Sequence, residues 1–233
     1  MQQEKEKSIE FWNQCFQEIK PFRLQKTEVK IENSLDKYLQ VIGDSCETVL
    51  DVGCGLGTCL MTSLYLGSKM KKGIGFDASV HAISFAQATS QLSGFSELTF
   101  VAQDESFMEM LSNESIDGMI CSNFLDVIPE NISKRIIVNM KRALKSNGLL
   151  LIKFNFYLDD DLIKRLNMEK IDDNTYTMNG VIRAFNLTTE QWIERFEGFD
   201  LIEKSSYQRA PNLPEDRILL FKKKSKGQSP QRD

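Results

Sequence analysis

Apolar residues recur along this chain in two alternating rhythms. Short continuous runs at 49–52, 73–76, 98–103, 116–122 and 149–154 read as strands buried on both faces of a mostly parallel sheet. Between them, apolar residues return every third or fourth position, as on one face of a helix. The spacing predicts helices over 59–66, over 80–92 with Ser79 as cap, and over 130–145, where Ile132, Ile136, Met140 and Leu144 share a face and Gly148 follows as a stop. A shorter helix or turn fits 105–111. Upstream, 4–20 carries a stripe of Ile9, Trp12, Phe16 and Ile19 that closes at Pro21, and 26–42 a second stripe with Ile31, Leu35, Tyr38 and Ile42, stopped by Gly43. Downstream, 175–178 and 181–185 flank Asn179-Gly180 as a hairpin with a type I′ turn; a helix over 188–196 and two alternating strands at 199–206 and 217–223 follow. The expected class is α/β: a doubly wound, mostly parallel seven-stranded sheet with an antiparallel C-terminal pair, N-terminal helices and a small inserted hairpin.

The first strand ends abruptly in Asp51-Val52-Gly53-Cys54-Gly55-Leu56-Gly57. Glycines there allow positive φ, or let a ligand lie against the main chain, and the following helix aims its free N–H groups at that ligand. Asp51 sits inside the strand end, where a carboxylate needs a partner. Asp77 ends the next strand about 20 residues past Gly57, the distance at which nucleotide-binding α/β folds place a ribose-binding acid. Asp104 ends the third. The third glycine of the dinucleotide pattern is replaced by Thr58, and an acid beside the loop suits an ammonium group rather than a pyrophosphate, which argues against a nicotinamide dehydrogenase.

These residues resemble the class I S-adenosylmethionine-dependent methyltransferases, with their Rossmann-like fold, and the small-molecule members in particular. The resemblance runs well over 49–154 and more loosely beyond. It implies S-adenosylmethionine as cofactor, with Asp51, Gly53, Cys54, Gly55 and Gly57 at its methionine part. Asp77 and Ala78 would lie at the ribose, Asp104 and Glu105 at the adenine, and Ser122 nearby. It also implies one methyltransferase domain over 1–224, in which 1–45 form a helical lid or cap and 155–186 an inserted substrate-side segment; 225–233 are expected to be disordered. For the first helix two dockings stand open: packing on the sheet or its edge, or a lid in which Phe11 and Trp12 cover the cofactor.

Substrate chemistry in open α/β sheets lies beyond the carboxyl ends of the strands, here Asn123-Phe124-Leu125-Asp126-Val127-Ile128-Pro129. The sequence lacks the N-P-P-Y of enzymes that methylate exocyclic base amines. Asp126 stands where small-molecule members carry a histidine, and is the candidate catalytic base or amine anchor, or else a hydrogen-bonding loop-end residue. Trp12, Asn123, Asn155, Tyr157 and Arg183 are the candidate substrate contacts. Three readings follow: a methyltransferase acting on a small molecule, one acting on a protein or peptide amine, and a non-catalytic domain that binds the cofactor as sensor or scaffold.

Composition narrows this in a few respects. A chain of 233 residues buries a full core without metal or disulfide staples. Net charge −4 argues against a broad phosphate-binding surface, so no nucleic acid partner is expected. Five cysteines without a C-x-x-C pair and a lone histidine, His81, point to reduced thiols, no metal site and no Cys–His catalysis. No apolar run approaches a membrane span, and a cytoplasmic location without membrane partners is expected.

Overall fold

A computed structural model describes residues 2–25 and 29–225. Helices α1 (Gln2–Phe16) and α2 (Ser34–Ser45) precede β1 (Thr48–Val52), α3 (Thr58–Leu66), β2 (Lys72–Asp77), α4 (Val80–Ser93), β3 (Leu98–Ala102), α5 (Phe107–Met110), β4 (Ile116–Ser122), α6 (Glu130–Ala143) and β5 (Leu144–Phe154). There follow α7 (Asp160–Arg165), β6 (Glu169–Lys170), β7 (Thr175–Met178), β8 (Val181–Phe185), α8 (Thr189–Glu194), β9 (Phe199–Tyr207) and β10 (Asp216–Lys223). Seven strands form one sheet in the order β3-β2-β1-β4-β5-β10-β9. The first five are parallel, and β10 runs antiparallel to both β5 and β9. Strands β6, β7 and β8 make a separate small antiparallel sheet.

The order reverses between β1 and β4, and the crevice at such a switch point is where these sheets bind ligands. The sheet is covered on both faces, which is why its strands read as continuous apolar runs. Leu50, Val52, Met119 and Leu150 belong to one buried cluster and Val49, Ile120 and Leu151 to the other. Ser79 caps α4 by accepting from Ala82 N–H, Thr188 and Gln191 form a reciprocal capping box on α8, and Asn179 and Gly180 take the positive φ of the hairpin turn.

Several boundaries differ from the sequence reading. Helix α1 stops at Phe16, short of Pro21, because the chain must straighten to lie along α4, where Phe22 N–H donates to Thr89 and Leu24 N–H to Ser93. Helix α2 begins only at Ser34, where Asn33 accepts from Asp36 N–H, so Ile31 falls outside it and is half exposed. Gly43 is not a stop but lies within α2, where a Cβ would come 2.1 Å from Ser63 O; its bareness lets α2 and α3 touch. Gly148 is likewise not the end of α6, which closes at Ala143 and passes straight into β5. The expected starts at 1 and 26–28 and most of the 225–233 tail lie outside the described residues; Ser225 itself donates to Asn147 Oδ1 at 3.1 Å.

Candidate functional site

A cavity of about 270 Å³ opens at the carboxyl ends of β1 to β4. Its floor is the glycine turn. Gly53, Gly55 and Gly57 all hold positive φ, at 65°, 49° and 73°. A Cβ on Gly53 would come 2.4 Å from the Phe124 ring, and one on Gly57 2.5 Å from Phe100. Gly53, Cys54 and Gly55 line the cavity, whereas Gly57 serves as the left-handed N-cap of α3 behind it.

Three acids face this space from successive strand ends. Asp51 is 1% exposed, and its Oδ2 has no hydrogen-bond partner among the described residues. Burial, and then the neighbouring charge of Asp77, push its pKa up to about 7. An orphaned buried carboxylate oxygen is satisfied by a cation, so the residues present fit the ammonium end of an amino-acid-like ligand. Asp77 accepts from Gly55 N–H at 2.9 Å and Ser79 N–H at 2.8 Å, so it ties the glycine turn to the start of α4; burial raises its pKa against these donors. Asp104 differs. Lys5 Nζ lies 2.7 Å from its Oδ2, Ser106 hydroxyl donates to Oδ1 at 2.6 Å, and together they lower its pKa to about 2. The same Lys5 sits 2.8 Å from Glu105, which also pairs with Arg135 at 2.7 Å.

Lys5 belongs to α1, and of the two dockings open for that helix the structure has the one over the cavity. Lys5, Ser8, Ile9, Trp12 and Phe16 line it, the Trp12 and Phe16 rings stack at 5.5 Å, and Asn13 Oδ1 accepts from Ser79 hydroxyl at 2.7 Å. Phe11 turns to the flank instead, beneath Arg183. Ala78, Ser122 and Asn123 line the cavity as the strand ends suggested, and Phe124, Val127 and Ile128 complete an apolar wall. Two cysteines, Cys54 and Cys59, also lie in the lining; burial and then the charge of Asp51 hold both thiols up, Cys59 at about 12.

Asn155, Tyr157, Arg183 and Asp126 are not in the lining. Asp126 is buried, and its Oδ2 accepts from both the backbone N–H and the side-chain amide of Asn155, at 2.8 and 2.9 Å. Burial raises its pKa against these bonds. Its Oδ2 therefore anchors the exit of β5, while its Oδ1 is buried without a hydrogen-bond partner among the described residues. Tyr157 is exposed. Sequence reasoning missed Lys5 and Lys153. The i, i+4 spacing of Lys5 with Ile9 marks the first as part of the buried stripe. Lys153 is buried in β5, 2.8 Å from both Asp216 Oδ2 and Asn123 Oδ1, and only the break it makes in an apolar run signals it.

A family model described as a methyltransferase domain matches residues 44–205, from the end of α2 through most of β9. The chain belongs to the class I S-adenosylmethionine-dependent methyltransferases. An uncharacterised protein of Haemophilus influenzae is 33% identical over 104 residues, which are 44% of this chain and 40% of that one, so the chain spans well under half of that relative. The tRNA N(3)-methylcytidine methyltransferase of Schizosaccharomyces pombe is 25% identical over 208 residues, 85% of this methyltransferase and 82% of the relative. Among solved structures, the 1,6-didemethyltoxoflavin-N1-methyltransferase of Burkholderia thailandensis, with bound S-adenosylhomocysteine, superimposes with a TM-score of 0.62 at 15% identity, covering 83% of this chain and 80% of that one. At that identity the likeness is one of fold. Among the described residues no helix is long and apolar enough to cross a membrane, and no cluster of three or more His, Cys, Asp or Glu could hold a metal ion.

Proposed function

We propose that this methyltransferase transfers a methyl group from S-adenosylmethionine to a small-molecule acceptor. The bound cofactor supplies a sulfonium-activated methyl carbon, whose bond to sulfur breaks as the bond to the acceptor forms. The unpartnered Asp51 carboxylate would take the α-ammonium group, with the Gly53–Gly55 backbone against the methionine portion. Asp77 and Ala78 would hold the ribose. Asp104 and Glu105 would meet the adenine in competition with Lys5, so that helix α1 acts as a lid whose ion pairs rearrange on binding, and Ser122 would border the methyl.

In-line displacement needs alignment and exclusion of water more than it needs a base. The Trp12–Phe16 stack and the Phe124, Val127 and Ile128 wall serve both ends. With Asp126 pinned to Asn155, the acceptor is expected to be nucleophilic without help from that residue, as a neutral amine is, and to release its proton to solvent. The observation that carries the small-acceptor reading is the position of α1, whose Lys5, Ser8, Ile9, Trp12 and Phe16 line one side of the cavity. The tRNA relative favours a second reading, an RNA acceptor. Incubation with radiolabelled S-adenosylmethionine and either the diffusible metabolite fraction of a cell extract or total tRNA separates them. Label in molecules below about 1 kDa is the expected result; label in ribonuclease-sensitive or protein material overturns it.

A further inference from the structure

Arg183, on β8, stands over two rings of the lid helix, 4.8 Å from the centre of Phe11 and 5.1 Å from that of Trp12. Trp12 also lines the cavity, so the guanidinium lies at the edge where α1, the cavity and the small sheet meet. One of its terminal nitrogens is buried and has no hydrogen-bond partner. Stacking satisfies the face of a guanidinium and not its edge, and an N–H left dry and unpaired is unfavourable.

The surroundings do not supply the missing acceptor. Arg209 is close enough for its charge to weigh against that of Arg183. Arg209 itself is engaged, 2.8 Å from Asp216 and 3.0 Å from Asn155 Oδ1, and Asp216 is shared with the buried Lys153. Arg217 donates to the carbonyls of Asn155 and Leu187 within the same cluster. Asp216 is thus met by Lys153 and Arg209, and the charges of Asp126, Asp216 and Glu190 act on Arg217, whereas no carboxylate pairs with Arg183 among the described residues. On the cavity wall Asn123 spends its carbonyl oxygen on Lys153, which leaves its amide N–H groups as donors.

We propose that Arg183 forms an oxyanion subsite, where the small-molecule acceptor is held by a carboxylate or phosphate group. This rests on the reading above that the acceptor is a small molecule. A planar guanidinium edge matches either oxyanion, whereas the rings beneath it suit an aromatic or otherwise flat acceptor body. The subsite binds the end of the acceptor remote from the reacting atom, and so sets which molecules enter rather than the chemistry.

The test uses the full chain with and without saturating S-adenosylhomocysteine, titrated calorimetrically with benzoate, phenyl phosphate and neutral benzamide at constant ionic strength. The expected result is saturable binding of at least one anion, about tenfold or more tighter than benzamide. Which anion binds distinguishes carboxylate from phosphate. Arg183→Gln is expected to lose that preference with S-adenosylhomocysteine affinity unchanged, Arg183→Lys to keep part of it, and the exposed control Lys134→Gln to keep all of it. Equal binding of benzamide, no saturable binding of either anion, or an Arg183→Gln variant with wild-type preference overturns the subsite. Failure to bind S-adenosylhomocysteine would instead strike the cofactor reading, since the anion titrations are also read without it.

Discussion

If Asp51 receives a cationic group, cofactor binding must report the ionisation of Asp51. In the ligand-free protein its pKa stands at about 7 because burial and Asp77 disfavour the charge. An ammonium ion reverses that preference, so binding should expel the proton. Well below pH 7 each unit of pH should weaken binding about tenfold, which makes the affinity at pH 5 about 100-fold lower than on the plateau above about pH 8 and about 50-fold lower than at pH 7. At pH 6 about nine-tenths of a proton should be released per ligand bound. Isothermal titration with S-adenosylhomocysteine in pairs of buffers of different ionisation enthalpy measures both quantities. Asp51→Asn should bind more weakly at pH 8 and show a flat profile. The same shift has a stability consequence with a definite sign: a carboxyl group raised on folding favours the fold at low pH, and that contribution is lost as pH rises from about 4 to about 7, up to roughly 4 kcal/mol. Ligand should restore it. An affinity that is level from pH 5 to 8 with no proton release would refute the reasoning, since it would mean that Asp51 meets no cation.

Other substitutions probe the neighbouring groups. Asp77→Ala should weaken S-adenosylhomocysteine binding by about 1.5–3 kcal/mol, the scale of a lost charge-assisted hydrogen bond, and unchanged Kd in a folded variant would remove the ribose assignment. Asp126→Ala should lower stability by about 2–3 kcal/mol, because it strands two donors of Asn155, while Kd for S-adenosylhomocysteine stays near wild type; a wild-type urea midpoint would show the anchor to be dispensable.

The glycine turn and its acids were legible because each is local to one strand end: a positive-φ turn demands glycine, and an acid at a strand terminus needs no distant information to be noticed. The sheet was legible for the same reason, its strands being apolar on both faces. What failed depended on partners far along the chain. The stripe on α1 shows that one face is covered but not by what, and here the cover is a cavity whose acids, Asp104 and Glu105, come 99 residues and more after Lys5. Ile31 fits the helical period of α2, yet the Asn33 cap overrides it. The bond from Asn155 to Asp126 likewise joins residues 29 apart. Lys153 hides in an apolar strand, its counter-charge supplied by β10.

The cysteines of the cavity bear on a hazard peculiar to this chemistry. A thiolate is a stronger nucleophile toward a sulfonium methyl than most amines, and two sulfur atoms, of Cys54 and Cys59, line the cavity proposed for such a donor. Burial is the safeguard: with its pKa at about 12, Cys59 is ionised in only about one molecule in 10⁵ at neutral pH, and Cys54 is held up in the same way. With the cofactor bound as proposed, the apolar lining that excludes water would also keep the enzyme from becoming its own substrate.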